Sequence, residues 1–147
     1  MDILIVDGYN IINQWTHLKK ELETSGLEHA RNELIEMMAE YQSFTGDKVI
    51  VVFDGYLTNN PQITKSNELG VEVIFSKHKQ TADSLIERFV YKERGVGKTI
   101  FVASKDTALE RIVFGLGCFI ISPEKLEEMI KHVKSEIKTI SGRFTFV

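Results

Sequence analysis

ILIVDG, residues 3–8, is a short apolar, β-branched run that ends in an aspartate and a glycine. The same pattern recurs in VIVVFDG, residues 49–55, and a similar apolar run leads into Ser104, Lys105 and Asp106 in TIFVASKD, residues 99–106. Short, nearly continuous apolar runs are typical of strands that are covered on both faces, as in a parallel sheet. Residues 71–75 and 118–121 are two further candidates. The sequence therefore predicts five strands, three of which lead into acidic residues.

Helical periodicity separates these runs. Residues 27–44, 81–91 and 107–114 place apolar side chains at helical spacing. A fourth helix is expected to begin at Ser122 and Pro123, since these residue types are preferred at the N-cap and at the first helical position. Strands that alternate with helices predict an α/β fold with a doubly wound, mostly parallel sheet and helices on both faces.

Two segments fit neither pattern. Residues 55–70 are polar, contain Asn59-Asn60-Pro61 and show no periodicity, so we expect a mobile surface loop there. Residues 140–147 are expected to form either a short edge strand or a disordered tail. The sequence contains no internal repeat that would divide it, so residues 1–147 are interpreted as a single domain.

Length and composition agree with one globular unit. A chain of 147 residues with 43% hydrophobic residues can bury a sizeable core. The N-terminus shows no basic leader and no long apolar stretch, so we expect a cytoplasmic protein with no membrane partner. Cys118, the single cysteine, lies in an apolar run and is interpreted as a core residue in a reducing compartment.

The net charge of −3 is not typical of a protein that binds nucleic acid through a broad basic face. Phosphate contacts are made by clustered Lys and Arg, so any such binding has to be local. An acidic excess has a different use if several carboxylates hold a divalent cation, because the bound ion cancels part of their charge. Composition alone does not decide between a solvated acidic surface and a metal site.

Four aspartates are expected at one edge of the predicted sheet. Ligands of open parallel sheets bind beyond the carboxyl ends of the strands, near the point where the strand order reverses. Asp7, Asp54 and Asp106 follow three strands, and Asp83 begins the helix after a fourth. Four converging carboxylates resist ionisation unless a cation lies among them.

The ligand types indicate which ion and which chemistry. Oxygen ligands without Cys or His favour Mg²⁺ or Mn²⁺ over zinc. A hard divalent ion with open positions is suited to hydrolysis of a phosphodiester, because it activates water and stabilises the leaving oxygen. The aspartates therefore predict a metal-dependent hydrolase that acts on phosphodiester bonds.

Each aspartate also has a purely structural explanation. An aspartate before glycine at a strand end is common turn chemistry, which suffices for Asp7 or Asp54 alone. Asp83 lies in a first helical turn, where the helix dipole favours a carboxylate. Asp106 is a natural N-cap for the helix that begins at Thr107. The occurrence of all four at equivalent positions is what favours the metal hypothesis.

The polar neighbours of the aspartates each have a functional and a structural interpretation. Asn10 either orients Asp7 or contacts a substrate phosphate, or else it caps a short helix toward Trp15. Ser104 either binds phosphate or holds Asp106, or merely ends a strand. Glu87, four residues after Asp83, either shares its ligand or is an exposed residue paired with Arg88 or Lys92. Tyr9 and Trp15 are core residues or base-stacking residues.

A basic run precedes Asp83. It consists of Ser76, Lys77, His78 and Lys79, and its lysines are placed to receive a nucleic-acid backbone beside the aspartates. A solvated loop is the alternative explanation for such a run.

Four motifs together resemble the YacP-like NYN-domain family of PIN-like nucleases. They are Ile5-Val6-Asp7-Gly8-Tyr9-Asn10, Val52-Phe53-Asp54-Gly55, Thr81-Ala82-Asp83 and Ala103-Ser104-Lys105-Asp106. The resemblance extends from the N-terminus to about the Ser122-Pro123 turn. It implies a PIN-like sheet of five strands in the order 3-2-1-4-5.

The resemblance also implies a function, namely an endoribonuclease that uses Mg²⁺ or Mn²⁺. Its partner is RNA, either mRNA or another single-stranded RNA in a translation or RNA-processing context. Position by position, the resemblance implies that the metal ligands are Asp7, Asp54, Asp83 and Asp106. It also implies that Asn10 orients the substrate or a ligand and that Ser104 is a hydrogen-bonding partner. Lys105 departs from the small polar residue that is usual there, and it is interpreted as a contact to phosphate or a partial substitute for metal.

Two other functional classes compete with a nuclease. A phosphoacceptor receiver domain is suggested by Asp54 after a strand, with Ser104 and Lys105 as switch partners. Receivers, however, need an adjacent acidic pair after the first strand, and here Asp7 is followed by Gly8. An RNA-binding module without catalysis is the second alternative. Phosphotransfer would favour the receiver, whereas RNA binding without cleavage in Mn²⁺ would favour the module.

Overall fold

Strands and helices alternate along nearly the whole chain. The computed structural model describes residues 2–95 and 97–145, with side chains described up to residue 141. In chain order the elements are β1 (Ile3–Asp7), α1 (Gly8–Gln14), α2 (Thr16–Ser25), α3 (Leu27–Thr45), β2 (Lys48–Phe53), β3 (Thr64–Glu68), β4 (Val71–Phe75), α4 (Ala82–Glu93), β5 (Ile100–Ala103), α5 (Thr107–Gly115), β6 (Phe119–Ile121) and α6 (Pro123–Thr145).

The strands form one sheet in the order β3-β4-β2-β1-β5-β6. Five of them are parallel, and their order β4-β2-β1-β5-β6 confirms the predicted order 3-2-1-4-5. The sixth, β3, pairs antiparallel with β4, with Thr64 opposite Phe75 and Glu68 opposite Val71. The chain leaves β1 toward β2 and later returns to β5 on the other side of β1. The strand order therefore reverses between β1 and β5.

The prediction of a structureless loop over residues 55–70 was wrong for residues 64–68, which form β3. Four of the five β3 side chains are exposed, so the strand is held by backbone pairing alone and has no apolar alternation to reveal it. The prediction of an edge strand or disordered tail was wrong for residues 140–145, which continue α6; residues 146–147 lie outside the described residues.

Two apolar layers lie on opposite faces of the sheet. Leu4 and Val6 of β1 face helices α1, α2, α3 and α6, and Ile3 and Ile5 face α4 and α5. This alternation along a strand is expected for a sheet covered on both faces. The predicted helices on both faces are therefore confirmed.

Two residues with open interpretations are core residues. Trp15 is 2% exposed, and its Nε1 donates a hydrogen bond to the carbonyl of Pro123 at 2.9 Å. It is therefore a core residue and not a base-stacking one. Cys118 is also buried, as predicted. The predicted cap of the last helix is confirmed as well, since the Ser122 hydroxyl accepts a hydrogen bond from the Lys125 amide at 3.1 Å.

None of the helices in the described part of the chain is both long enough and apolar enough to cross a membrane.

Candidate functional site

Asp7 and Ser104 meet at the point where the strand order reverses. Asp7 ends β1 and Ser104 directly follows β5, the strand paired with β1. Both are buried, and the Ser104 hydroxyl donates a hydrogen bond to Asp7 Oδ2 at 2.8 Å. Burial raises the pKa of Asp7 to about 6, with smaller contributions from Asp106 and Asp54, while the bond from Ser104 opposes the rise. Among the described residues, Ser104 is thus the one hydrogen-bond donor to the buried Asp7 carboxylate.

Ser104 also ties Asp7 to Asp106, because its Oγ accepts a hydrogen bond from the Asp106 amide at 3.1 Å. The prediction that Ser104 holds Asp106 is confirmed by this contact. Asp106 caps α5, and its Oδ1 accepts a hydrogen bond from the Leu109 amide at 3.0 Å. That bond, the largest influence, lowers the pKa of Asp106. The structural role suggested for Asp106 is therefore real, and it leaves the carboxylate charged beside Asp7.

Asp83 faces Asp106 across the gap between α4 and α5. The N-cap of α4 is Thr81, whose hydroxyl accepts a hydrogen bond from the Ser84 amide at 3.2 Å, so Asp83 is not needed as a cap. Desolvation by burial is the first cause that raises the pKa of Asp83 to about 7, followed by a hydrogen bond to Asp106 and by the charges of the other aspartates. Burial and the neighbouring carboxylates therefore disfavour ionisation of Asp83.

Asp54 makes contacts typical of a turn. Its Oδ1 accepts a hydrogen bond from the Tyr56 amide at 2.7 Å, and its Oδ2 accepts one from the Ala82 amide at 3.4 Å. The second contact links the end of β2 to the start of α4, where Asp83 lies. Asp54 is close enough to Asp7 and Asp83 for its charge to raise both of their pKa values.

The four aspartates form an open group rather than a closed cage. Among the described residues, the one set of three side chains whose ligand atoms all lie within 4.8 Å of one another is Glu21, His29 and Glu33, far from these strand ends in sequence. Mg²⁺ is usually held by one or two carboxylates, with water and substrate phosphate filling its other positions. An open set of carboxylate oxygens with one buried member fits such an ion.

Asn10 fastens the loop that carries Ser104 and Asp106. Its Oδ1 accepts a hydrogen bond from the Lys105 amide at 2.8 Å. Asn10 is the third residue of α1, and α1 has no side-chain cap, so the capping interpretation of Asn10 was wrong. The Lys105 side chain is exposed, and only its backbone is held.

The basic run before α4 divides into buried and exposed residues. Ser76 is 1% exposed, and its Oγ accepts a hydrogen bond from the Gly55 amide at 2.7 Å while donating one to the carbonyl of Gln80 at 2.6 Å. Ser76 is therefore structural. Lys77 and Lys79 are exposed, as a phosphate-binding role requires.

Gly55 allows the loop that follows β2 to contact the loop that follows β4. A Cβ built on Gly55 would lie 1.8 Å from the carbonyl oxygen of Ser76, so no larger residue fits. The Lys79 amide donates a hydrogen bond to the carbonyl of Tyr56 at 3.0 Å, which adds a second link between the loops. The segment after Asp54 is thereby anchored beside Lys77 and Lys79.

Glu87 is exposed, as one interpretation predicted, but within the described residues it forms no ion pair with Arg88 or Lys92. Helical neighbours face one another at spacings of three and four residues, and these two lie one and five residues away.

Sequence reasoning missed Arg31 of α3. Its guanidinium donates a hydrogen bond to the Tyr9 hydroxyl at 3.2 Å and lies 5.6 Å from the ring centre of Phe75. Tyr9 in turn packs on Phe53 with 4.9 Å between ring centres. Tyr9 therefore packs against the core while its hydroxyl stays available to Arg31. No local pattern marks Arg31, because its partners, Tyr9 on α1 and Phe75 on β4, are distant in sequence.

The Glu21, His29 and Glu33 group also went unnoticed, because α2 buries only Leu18 and was not predicted. His29 Nε2 lies 3.0 Å from a Glu21 oxygen and 3.3 Å from a Glu33 oxygen. The first contact joins α3 to α2 and the second lies within α3, and together they account for the group.

Known proteins resemble this chain over almost its full length. A family model described as the YacP-like NYN domain matches residues 4–144, which extends the resemblance well past the Ser122-Pro123 turn. A Bacillus subtilis (strain 168) protein named as the uncharacterized protein YacP is 41% identical over 143 residues, covering 97% of this chain and 79% of that protein.

Solved structures agree with this match. A crystal structure of a mutant of Rae1 (YacP) from Bacillus subtilis superposes with a TM-score of 0.84 at 38% identity, covering 99% of this chain and 84% of that one. A second crystal structure of Rae1 (YacP) gives 0.82 at 39% identity, covering 99% and 82%. The chain belongs to the YacP-like NYN domain family, a family of nuclease type.

Proposed function

We propose that this protein is an endoribonuclease that hydrolyses single-stranded RNA with the help of Mg²⁺ or Mn²⁺. The observation that carries the proposal is the convergence of four aspartates at the carboxyl ends of the parallel strands, where burial first and the neighbouring carboxylates second raise the pKa of Asp7 to about 6 and that of Asp83 to about 7. Uncompensated like charges at one edge are stabilised by a cation. We also propose that residues 1–147 act as one NYN domain.

In this proposal Asp7, Asp54, Asp83 and Asp106 hold the ion. When bound, a hard divalent cation supplies Lewis-acid chemistry for phosphodiester hydrolysis. Ser104 positions Asp7 and Asp106 together, since its hydroxyl bonds to both residues. Asn10 keeps the loop of Lys105 in place through the amide of that residue.

Substrate binding is assigned to the cations at the same edge. The exposed side chains of Lys77 and Lys79 flank the start of α4, and that of Lys105 flanks the start of α5. Phosphates of an RNA strand would be drawn to these positions, which agrees with local binding by a chain of net charge −3. The membership in a nuclease-type family favours this function over the receiver alternative.

The test is cleavage of labelled single-stranded RNA and single-stranded DNA in Mg²⁺ or Mn²⁺, with a chelator as control. We expect internal cleavage of RNA that stops when the metal is chelated. Cleavage that persists in excess chelator would contradict the metal requirement. RNA binding without cleavage in either metal would replace the nuclease with the non-catalytic binding module.

A further inference from the structure

A large cavity lies beside α4, on the face of the sheet that α4 and α5 cover. Its volume is about 750 Å³, within the usual range for ligand sites. Its walls are aliphatic, with Ile5 of β1, Val52 of β2 and Ile74 of β4 on the sheet side and Ile112 and Leu116 on the α5 side. We call it the α4 cleft.

The α4 cleft has a basic rim. Four cations line it, Lys65 from β3, Arg88 and Lys92 from α4, and Arg111 from α5, against one carboxylate, Glu87. Over the described ranges of the chain, none of these cations forms an ion pair. Elsewhere Lys48, Lys125 and Lys131 each pair with a glutamate. The rim therefore presents uncompensated positive charge around an apolar interior.

The α4 cleft begins close to the aspartate site. Ile5 and Val52 lie two residues before Asp7 and Asp54, and residues two apart on a strand share a face of the sheet. Glu87, which also lines the cleft, follows Asp83 by four residues on α4, a spacing at which helical side chains share a face. A strand of nucleic acid at the aspartates can thus continue along α4 into the cleft.

We propose that the α4 cleft binds the nucleotides of a single-stranded RNA next to the bond held at the aspartates. The bases enter the apolar interior, and the rim cations contact their phosphates. Cationic grooves with apolar and aromatic surfaces are the general means of binding single strands, and here Phe89 and Tyr91 supply the aromatic rings. This inference rests on the proposed function, because it assigns the path of that substrate.

A first test removes charge from the rim. The variant carries Arg88→Ala and Arg111→Ala, and its control carries Lys125→Ala and Lys131→Ala on α6, which changes the net charge equally. Binding of labelled single-stranded RNA is measured by fluorescence anisotropy in chelator over a range of salt. We expect Kd to rise about tenfold for the rim variant, or about 1.4 kcal/mol. The salt slope should fall by about 1.4, or about 0.7 for each phosphate contact.

A second test fills the interior. Gly115 lines the α4 cleft at the end of α5, and a Cβ built there meets no atom within 4 Å. Gly115→Trp is therefore designed to place an indole ring at the cleft wall from a position where a Cβ is tolerated, and Gly115→Ala is the size control. We expect Gly115→Trp to weaken binding of a long RNA much more than Gly115→Ala does, and to leave binding of a dinucleotide unaffected. Equal binding of the long RNA by both variants would overturn the proposal.

A third measurement locates the bound RNA directly. Single-stranded RNA that carries 4-thiouridine beside the cleaved bond is crosslinked to the protein by light and mapped by mass spectrometry. We expect crosslinks within residues 85–92 and 111–116. Crosslinks confined to the α2 and α3 face would contradict the path.

The outcomes separate this inference from the proposed function. If the wild type cleaves RNA in Mn²⁺ while rim and cleft variants bind RNA as their controls do, the inference fails and the nuclease stands. If no RNA is cleaved, the nuclease fails, and the anisotropy measurements still decide the cleft. Saturable binding of a fatty-acid probe by the wild type, lost in Gly115→Trp while RNA binding is unchanged, would show a small-ligand pocket and overturn the proposal.

Discussion

Aspartates lie at both ends of the parallel strands. The amino ends of the strands form the amino edge of the sheet and their carboxyl ends form the carboxyl edge, and the aspartates at these two edges have different surroundings. At the amino edge, the Asp2 amide donates a hydrogen bond to Asp47 Oδ1 at 3.2 Å, and both residues are half-buried. At the carboxyl edge, Asp7 is 6% exposed and interacts with three other carboxylates. Asp47 and Asp54 even flank the same strand, β2.

The difference between the two edges distinguishes an aspartate that only forms a turn from a cluster of aspartates with a functional role. An aspartate beside a strand end is common, and Asp47 shows that such a residue needs no further role. The carboxyl edge is different because several carboxylates converge there under partial burial, which raises the pKa of Asp7 and Asp83. Asp47→Asn is therefore a matched control for the same change at Asp7, Asp54, Asp83 or Asp106.

The largest expected difference between the edges is in cleavage. Asp7→Asn or Asp106→Asn should reduce RNA cleavage by about 100-fold or more, because a lost ligand misplaces the reacting groups. Asn keeps the size of Asp and can still cap α5, so the fold should persist. Asp47→Asn should cleave like the wild type. Near wild-type cleavage by Asp7→Asn in saturating metal would remove the distinction between the edges.

The next difference is in stabilisation by metal. A ligand that binds only the folded state stabilises it by about 2.7 kcal/mol at a hundred times its Kd. We expect Mg²⁺ or Mn²⁺ to raise the Tm of the wild type and of Asp47→Asn equally, and to raise that of Asp54→Asn and Asp106→Asn much less. Thermal melting with and without chelator measures this. Equal increases in Tm in all four proteins would show that the carboxyl-edge aspartates are turn and cap residues that do not bind the metal.

A smaller difference is in the pH dependence of the metal-free protein. Asp7 and Asp83 have pKa values of about 6 and about 7 in the fold, above the ordinary 3.8, so the folded state binds their protons more tightly than the unfolded chain does. Their stabilising contribution is complete below about pH 4 and is lost as the pH rises through about 6 and 7. In chelator, Tm should therefore fall over this range.

Asp83→Asn tests that slope because its side chain does not ionise. Its Tm should fall less with rising pH than that of the wild type, and near pH 8 it should melt at or above the wild-type temperature. Asp47→Asn should keep the wild-type slope. An equally steep fall for Asp83→Asn would show that ionisation of Asp83 does not destabilise the fold.

The smallest expected effect concerns the lysines beside the carboxyl edge. Lys77→Ala with Lys79→Ala should weaken RNA binding and lower its salt slope by up to about 1.4, since single strands lose about 0.7 per phosphate contact. Lys19→Ala with Lys20→Ala on α2 is the charge-matched control. A salt slope identical in both double variants would take Lys77 and Lys79 out of the binding path.

Local pattern was enough to predict the parallel part of the fold. Strands such as β1 and β2 are buried along nearly their whole length, so their apolar runs stand out. The missed elements bury little. β3 has four exposed side chains and is held by pairing with β4, and α2 buries only Leu18. Elements that are stabilised by backbone pairing or by a single anchor leave no periodic signal.

The sequence was enough to predict which aspartates form the site, but not the hydrogen bonds that link them to their neighbours. Strand ends identified Asp7, Asp54 and Asp106, because parallel topology brings such ends to one edge. The bridging role of Ser104 and the bond from the Lys105 amide to Asn10 depend on contacts 97 and 95 residues apart in sequence. The partners of Arg31 are likewise remote, and they follow only from the folded chain.

The central claim is that the carboxyl-edge aspartates, and not the amino-edge ones, hold a divalent cation. Titration of the protein with Mn²⁺, followed by the loss of the free-ion signal in electron paramagnetic resonance, measures this directly. We predict saturable binding that is the same in the wild type and in Asp47→Asn and is abolished or strongly weakened in Asp7→Asn. Equal Mn²⁺ binding by Asp7→Asn and Asp47→Asn, or no binding by the wild type, would contradict the claim.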